Sequence, residues 1–295
     1  MPTTLSPLRY PGGKAKLYNL VKEIIELNDL HGTYIEPFAG GAGLAIKLLL
    51  NNDVRRIVIN DSDVAIYSFW RCVLHHPDEL CDFINTVPLT YEEWMNQRNI
   101  YLNQENHTEE DIGKATLYLN RTNRSGIIKG GIIGGKDQQG AYLMDARFNR
   151  AGLVSKVRRI AAQSSRIELH NSDVFDFLKP DILGHYYKAF INFDPPYVQK
   201  GGQLYMNFFS DGDHRKLCAA ISSCRRKWIV TYDICALTKD LYQHYRCAYL
   251  DLIYSANNTR KAKEYIFFSN NLEIPSSIEL INRRAVPTNC TNNPG

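Results

Sequence analysis

Apolar residues along this chain follow two alternating rhythms, short unbroken runs and longer stretches spaced at three and four. The short runs, residues 33–38, 56–60, 166–170, 190–193 and 227–231, are rich in β-branched and aromatic side chains and predict strands. Between them lie helical patterns over 17–27, 44–50, a short stretch ending at Leu178, and 213–224. A long helical stretch over 62–121 carries Ile66, Phe69, Trp70 and Val73 on one apolar spacing and Tyr91 and Trp94 on a later one. Within it, Thr108-Glu109-Glu110-Asp111 has the form of a capping box, opening a helix through Ala115, Leu117 and Tyr118. Strands alternating with helices predict an α/β sheet. Two final runs, 249–254 and 264–269, are close enough for a hairpin and would give that sheet one antiparallel strand.

Composition narrows the class without changing this outline. A chain of 295 residues, 44% hydrophobic and 22% charged, is an ordinary globular sequence, which sets aside disorder, collagen and coiled coil. Its length fits a domain with an insertion, drawn as a core of 1–61 and 152–286 around an insertion of 62–151, with a disordered tail at 287–295. No apolar run spans a bilayer and residues 1–14 lack a secretory core, so the cytoplasm is the expected compartment. The seven cysteines include no Cys-x-x-Cys pair, an argument for reduced structural thiols and against a metal cluster.

The net charge of +4 is mild, but it is concentrated. Residues 120–159 carry Arg121, Arg124, Lys129, Lys136, Arg147, Arg150, Lys156, Arg158 and Arg159 against only Asp137 and Asp145, interleaved with amides such as Asn120, Asn123 and Gln138. Amides read base edges and cations sit on phosphates, so this segment is a candidate nucleic-acid surface; a solvated loop is the bland alternative. Arg124 is the candidate base reader and Lys129 and Lys136 the candidate phosphate contacts, with Arg121 and Asn123 completing the set.

Candidate chemistry gathers at strand ends. The run at 190–193 stops at Asp194-Pro195-Pro196-Tyr197, where two prolines stiffen the turn. Such a turn holds a carboxylate and carbonyls as fixed acceptors beside a flat ring, which suits a planar amine; a plain proline turn is the alternative. Phe38-Ala39-Gly40-Gly41-Ala42-Gly43 follows the first strand as a glycine turn into a helix, where backbone N–H groups favour a negative group. Asp61 ends the second strand as a candidate ribose acceptor, and Asp173 ends the third as a candidate acceptor for an adenine amine; both compete with helix capping. Gly12-Gly13-Lys14 lacks the glycine and hydroxyl positions of a phosphate-binding P-loop, which leaves Lys14 as a contact for a ligand carboxylate or phosphate.

Taken in order, Arg9-Tyr10-Pro11-Gly12-Gly13-Lys14, Glu36 through Gly43, Asp61, 120–126, Asp173 and 194–197 resemble the Dam-type, or D12 class, DNA adenine-N6 methyltransferases over nearly the whole chain. The resemblance implies a mainly parallel seven-stranded methyltransferase sheet with one antiparallel strand and a helical target-recognition insertion. It implies S-adenosylmethionine as cofactor, with Tyr10, Lys14 and the turn of Phe38, Ala39, Gly40, Gly41 and Gly43 around its methionine part, Asp61 on its ribose and Asp173 on its adenine. Asp194, Pro195, Pro196 and Tyr197 would hold a flipped-out adenine of double-stranded DNA, with no metal. A cognate restriction endonuclease belongs among the expected partners. The open alternatives are a methyltransferase for RNA or for a protein glutamine, and an inactive DNA-binding relative.

Overall fold

The computed structural model describes residues 4–9, 14–186, 188–198, 209–254 and 260–281. Tyr10, the connection at 255–259 and the tail at 287–295 lie outside them. The strands are β1 (Thr33–Glu36), β2 (Arg56–Asn60), β3 (Ile167–His170), β4 (Ala189–Phe193), β5 (Lys227–Asp233), β6 (Arg246–Tyr254) and β7 (Arg260–Phe268). They form one seven-stranded sheet in the order β3-β2-β1-β4-β5-β7-β6. The first five strands run parallel, and β7 is antiparallel to both β5 and β6, as the closing pair of runs predicts.

Alternating side chains on these strands feed two cores. Tyr34, Ile57, Ile59, Phe190 and Ile229 face one layer, while Ile35, Val58, Ile191, Phe193 and Val230 face the other. The first layer holds α1 (Tyr18–Leu27) and α2 (Gly43–Leu50), whose apolar stripes include Val21, Ile24 and Leu44. The second layer holds α8 (Val174–Phe177), α9 (Pro180–Leu183), α10 (Asp211–Ser223) and α11 (Ala236–Leu241).

The predicted helical stretch between β2 and β3 divides into α3 (Val64–His75), α4 (Pro77–Thr86), α5 (Tyr91–Leu102) and α6 (Glu109–Thr122), followed after a glycine-rich loop by α7 (Arg150–Ala161). The capping box at Thr108 and Asp111 is present at the start of α6. Phe69, Leu117, Phe148 and Val157 belong to the same apolar cluster as Val21 and Leu44, so these helices share the core of the first layer. Helix α7 packs on α3 and α4, so an insertion boundary near residue 151 passes between elements in contact. Among the described residues no helix is long and apolar enough to cross a membrane.

Candidate active site

Strand β4 is buried at every position and delivers Asp194 to the carboxyl edge of the sheet beside β1 and β5, where a parallel α/β sheet places its ligands. One carboxylate oxygen is fully engaged: Asp194 Oδ1 lies 3.0 Å from Lys14 Nζ and accepts the Thr231 hydroxyl at 2.9 Å. Among the described residues Oδ2 has no hydrogen-bond partner. Lys14 Nζ also lies 3.1 Å from Glu264 Oε2, donates to the Tyr197 hydroxyl and sits 5.0 Å from the centre of the Tyr197 ring. Burial alone would lower the Lys14 pKa, but Asp194 and Glu264 outweigh it and hold the ammonium above its ordinary value. Burial pushes the Asp194 carboxyl up, and the Glu264 charge adds to this against the pull of Lys14.

Lys14 therefore stands against the Asp194 carboxylate, where the sequence suggested a ligand group. Tyr197 is only 7% exposed, so a base meeting that ring has to displace what covers it. Pro195 is buried and Pro196 half-buried, carrying the chain from Asp194 to Tyr197. Nothing in the sequence flags Glu264 or Thr231, because each reads as an ordinary strand residue.

The ends of β1, β2 and β3 enclose a cavity of about 210 Å³ lined by Pro37, Phe38, Asn60, Ser62, Ser172, Asp173, Val174, Phe175, Phe209 and Asp213. Asn60 knits its floor, donating to the carbonyls of Pro37 at 3.0 Å and Ser172 at 3.1 Å while accepting the Ser172 N–H at 3.0 Å. The wall is aromatic: Phe175 and Phe209 are near-parallel with centroids 6.4 Å apart, and Phe38 meets Phe209 edge-on at 6.1 Å. Asp173 lines the cavity and also caps α8, accepting the Phe175 N–H at 2.8 Å. Phe175 was legible as the second residue after Asp173, and Phe209 as the residue before the capping box of Ser210 and Asp213.

Asp61 does not cap α3; Asp63 does, accepting from Ala65 at 2.9 Å. Instead Asp61 accepts the Gly40 N–H at 2.8 Å and the Asp63 N–H at 3.0 Å, and Trp70 donates to the Gly40 carbonyl at 2.9 Å. These bonds fix the turn of Ala39, Gly40, Gly41 and Gly43 in a shape with positive φ at Gly40 and Ala42. Burial pushes the Asp61 carboxyl up to about 7 despite those bonds. Burial likewise pushes Glu36, at the end of β1, up to about 8, against the Tyr34 hydroxyl donating at 3.1 Å.

The glycine-rich loop after α6 folds back on itself, with Asn123 bridged to Ile132 in antiparallel fashion and Arg124 N–H bonded to the Gly131 carbonyl at 2.9 Å. Arg124, Lys129 and Lys136 are exposed on it, Lys136 lying 5.7 Å from the Tyr91 ring. Asn123 is fully buried, accepting from Trp94 at 2.7 Å and donating to the carbonyls of Ile127 and Ile128, which leaves no donor for a base edge. Arg121 is also buried, and donates to the Pro7 carbonyl. Asn120 clasps both strands of chain that meet here: it accepts the Arg9 N–H at 2.7 Å and donates to the carbonyls of Arg9 at 2.7 Å and Gly126 at 2.8 Å.

A family model described as the D12 class N6 adenine-specific DNA methyltransferases matches residues 10–256. No curated protein matches the chain. Among solved structures, the rRNA methyltransferase aviRa from Streptomyces viridochromogenes aligns over 88% of this chain and 85% of its own, at 11% identity and a TM-score of 0.34, too distant a likeness to bear on the function.

Proposed function

Because the chain belongs to the D12 class of N6 adenine-specific DNA methyltransferases, we propose that it moves a methyl group from S-adenosylmethionine to the N6 amine of an adenine turned out of double-stranded DNA. The enzyme is thus a DNA adenine-N6 methyltransferase, and the cofactor, the base flipping and the residue roles are the proposed part.

The cavity's own chemistry fits the adenosine half of that cofactor. Its aromatic wall of Phe38, Phe175 and Phe209 offers faces to a purine, and the Asp173 carboxylate offers an acceptor to an exocyclic amine. At about 210 Å³ it is smaller than the ~300 Å³ at which whole small-molecule sites begin, so the methionine half extends beyond it, toward the turn of Gly40 and Gly41. Asp61 acts at one remove by fixing that turn through Gly40. When bound, the cofactor supplies an electrophilic methyl group on a positive sulfur. The corner opposite carries Asp194 and Glu264 against Lys14, and its surplus negative charge suits a cation.

The observation that carries the reading is the asymmetry of Asp194. Its Oδ1 is pinned by Lys14 and Thr231, which orients Oδ2 as a free acceptor for one N–H of the target amine. The carbonyl at the proline turn takes the other N–H, and the nitrogen lone pair is left to point at the methyl group. Positioning of this kind supplies a large part of a barrier reduction. Tyr197 gives the flipped base its flat neighbour once the ring is uncovered. A DNA substrate is consistent with a cytoplasmic enzyme, and a cognate restriction endonuclease would act on the same sites.

Incubation of the protein with labelled S-adenosylmethionine and duplex DNA, RNA or protein in parallel tests this. N6-methyladenine in the DNA alone is the expected product; label in RNA or protein with none in DNA overturns the reading.

A further inference from the structure

The segment from Ser6 to Arg9 is surrounded by cations drawn from three places in the chain. Arg121 of α6 donates to the Pro7 carbonyl, Lys156 of α7 lies 3.3 Å from the Ser6 carbonyl oxygen, and Arg147 lies near both Arg9 and Arg121. Every Asp and Glu of the sequence falls within the described residues, yet none forms an ion pair with any of these four. Two donor atoms are buried with no partner among the described residues, Arg121 Nε and Arg9 Nη1. Arg121 itself is only 8% exposed. Burial, reinforced by Arg9 and Arg147, pulls its pKa down to about 9.

Fastening the N-terminal segment does not require this arrangement. A neutral amide does the same work close by, where Asn120 holds the carbonyls of Arg9 and Gly126 at 2.7 and 2.8 Å. Like charges gathered without a counter-charge, with donors left over, describe a receptor for an anion. Its position narrows the choice. Arg9 is five residues from Lys14, so the two lie at most about 18 Å apart. Duplex DNA carries one charge per ~1.7 Å of axis, and a duplex offering a base to Asp194 brings several phosphates within that radius.

We propose that Arg9, Arg121, Arg147 and Lys156 form a site for one phosphodiester group of the substrate DNA, close to the flipped base. The proposal rests on the DNA reading above and adds a specific contact to it. Arg147 is exposed and Lys156 half-buried, so Arg147→Gln and Lys156→Gln leave the packing of Arg121 intact.

The test is DNA binding by the full chain across a salt series, with duplexes carrying a neutral methylphosphonate at one linkage at a time. For each variant the slope of log affinity against log salt should fall by about 0.9, the loss of one phosphate contact. One linkage should weaken the wild type when neutralised and leave Arg147→Gln indifferent. Relief of repulsion should keep the melting temperature of Arg147→Gln at or above that of the wild type. If the wild type binds and methylates DNA while both variants keep its slope and its methylphosphonate profile, the phosphate site is wrong and the methyltransferase reading stands. Unchanged slopes with weakened S-adenosylmethionine binding, or with a lower melting temperature, overturn it equally. Failure of the wild type to bind duplex DNA removes both.

Discussion

Lys14 and Arg121 are both buried cations, one held between Asp194 and Glu264 at the strand ends, the other beside Arg9 and Arg147 with no carboxylate paired to it. The corner around Lys14 supplies its own counter-charges, and among the described residues Asp194 Oδ1 is pinned while Oδ2 is spare. The cluster around Arg121 withholds counter-charge and leaves donors idle. On the proposed reading, a base amine needs the first kind of place, where acceptors are fixed. A phosphate needs the second. The contrast then separates recognition of the reacting atom from the grip on the polymer that carries it.

The largest effect should come from Lys14→Met, which strands two carboxylates in the sheet edge. Removing one partner of a buried pair costs roughly 3 to 5 kcal/mol. Urea denaturation should show that loss, whereas Arg147→Gln at the other cluster should show none; equal losses at both would erase the distinction drawn here.

Asp194→Ala should lower methylation by about 5- to 150-fold, taking roughly 1 to 3 kcal/mol for a lost buried acceptor realised in the transition state. Cofactor affinity, measured by calorimetry, should hold, because the role proposed for Asp194 is toward the amine and not the cofactor. Near-normal turnover would detach the corner from the chemistry.

The paired carboxylates should also differ from Glu36, which has no cation beside it. Its folded pKa of about 8 lies above the unfolded value of 4.5, so the folded state holds a proton that the unfolded state releases first. Stability from this group is present in full below pH 4.5 and is lost as pH rises to about 8, by at most about 1.4 kcal/mol per pH unit. Denaturation midpoints of the ligand-free protein should fall across that window, and Glu36→Gln should flatten the fall.

Tyr197→Phe should have the smallest effect, about 1 kcal/mol or less, since it removes only the hydroxyl that accepts from Lys14. Activity should stay within about tenfold of wild type. A complete loss would mean that the hydroxyl, more than the ring, organises the corner.

The sequence exposed what is local. Strand runs, the capping box at Thr108, the glycine turn and the proline turn each declare themselves within a few residues, and the sheet order follows from the family they resemble. It concealed what is made by distant partners. Lys14 read as a ligand contact because nothing near it suggested Glu264, 250 residues away. Asn123 read as a base reader because a buried amide bracing carbonyls and an exposed amide facing DNA look alike in a polar, glycine-rich stretch. Asp61 stands directly after β2 as the strand run predicts, but its bond to Gly40 depends on how two loops meet, which spacing alone does not encode.

The link between Lys14 and Glu264 also sets a clock. Its two halves stand 250 residues apart in the chain, and closing so long a loop is entropically costly. The ammonium that orients Asp194 therefore lacks its second counter-charge until the antiparallel strand β7 slots between β5 and β6. A chain truncated before that strand keeps the glycine turn and the proline turn yet lacks Glu264, so the corner is complete only once β7 is in place.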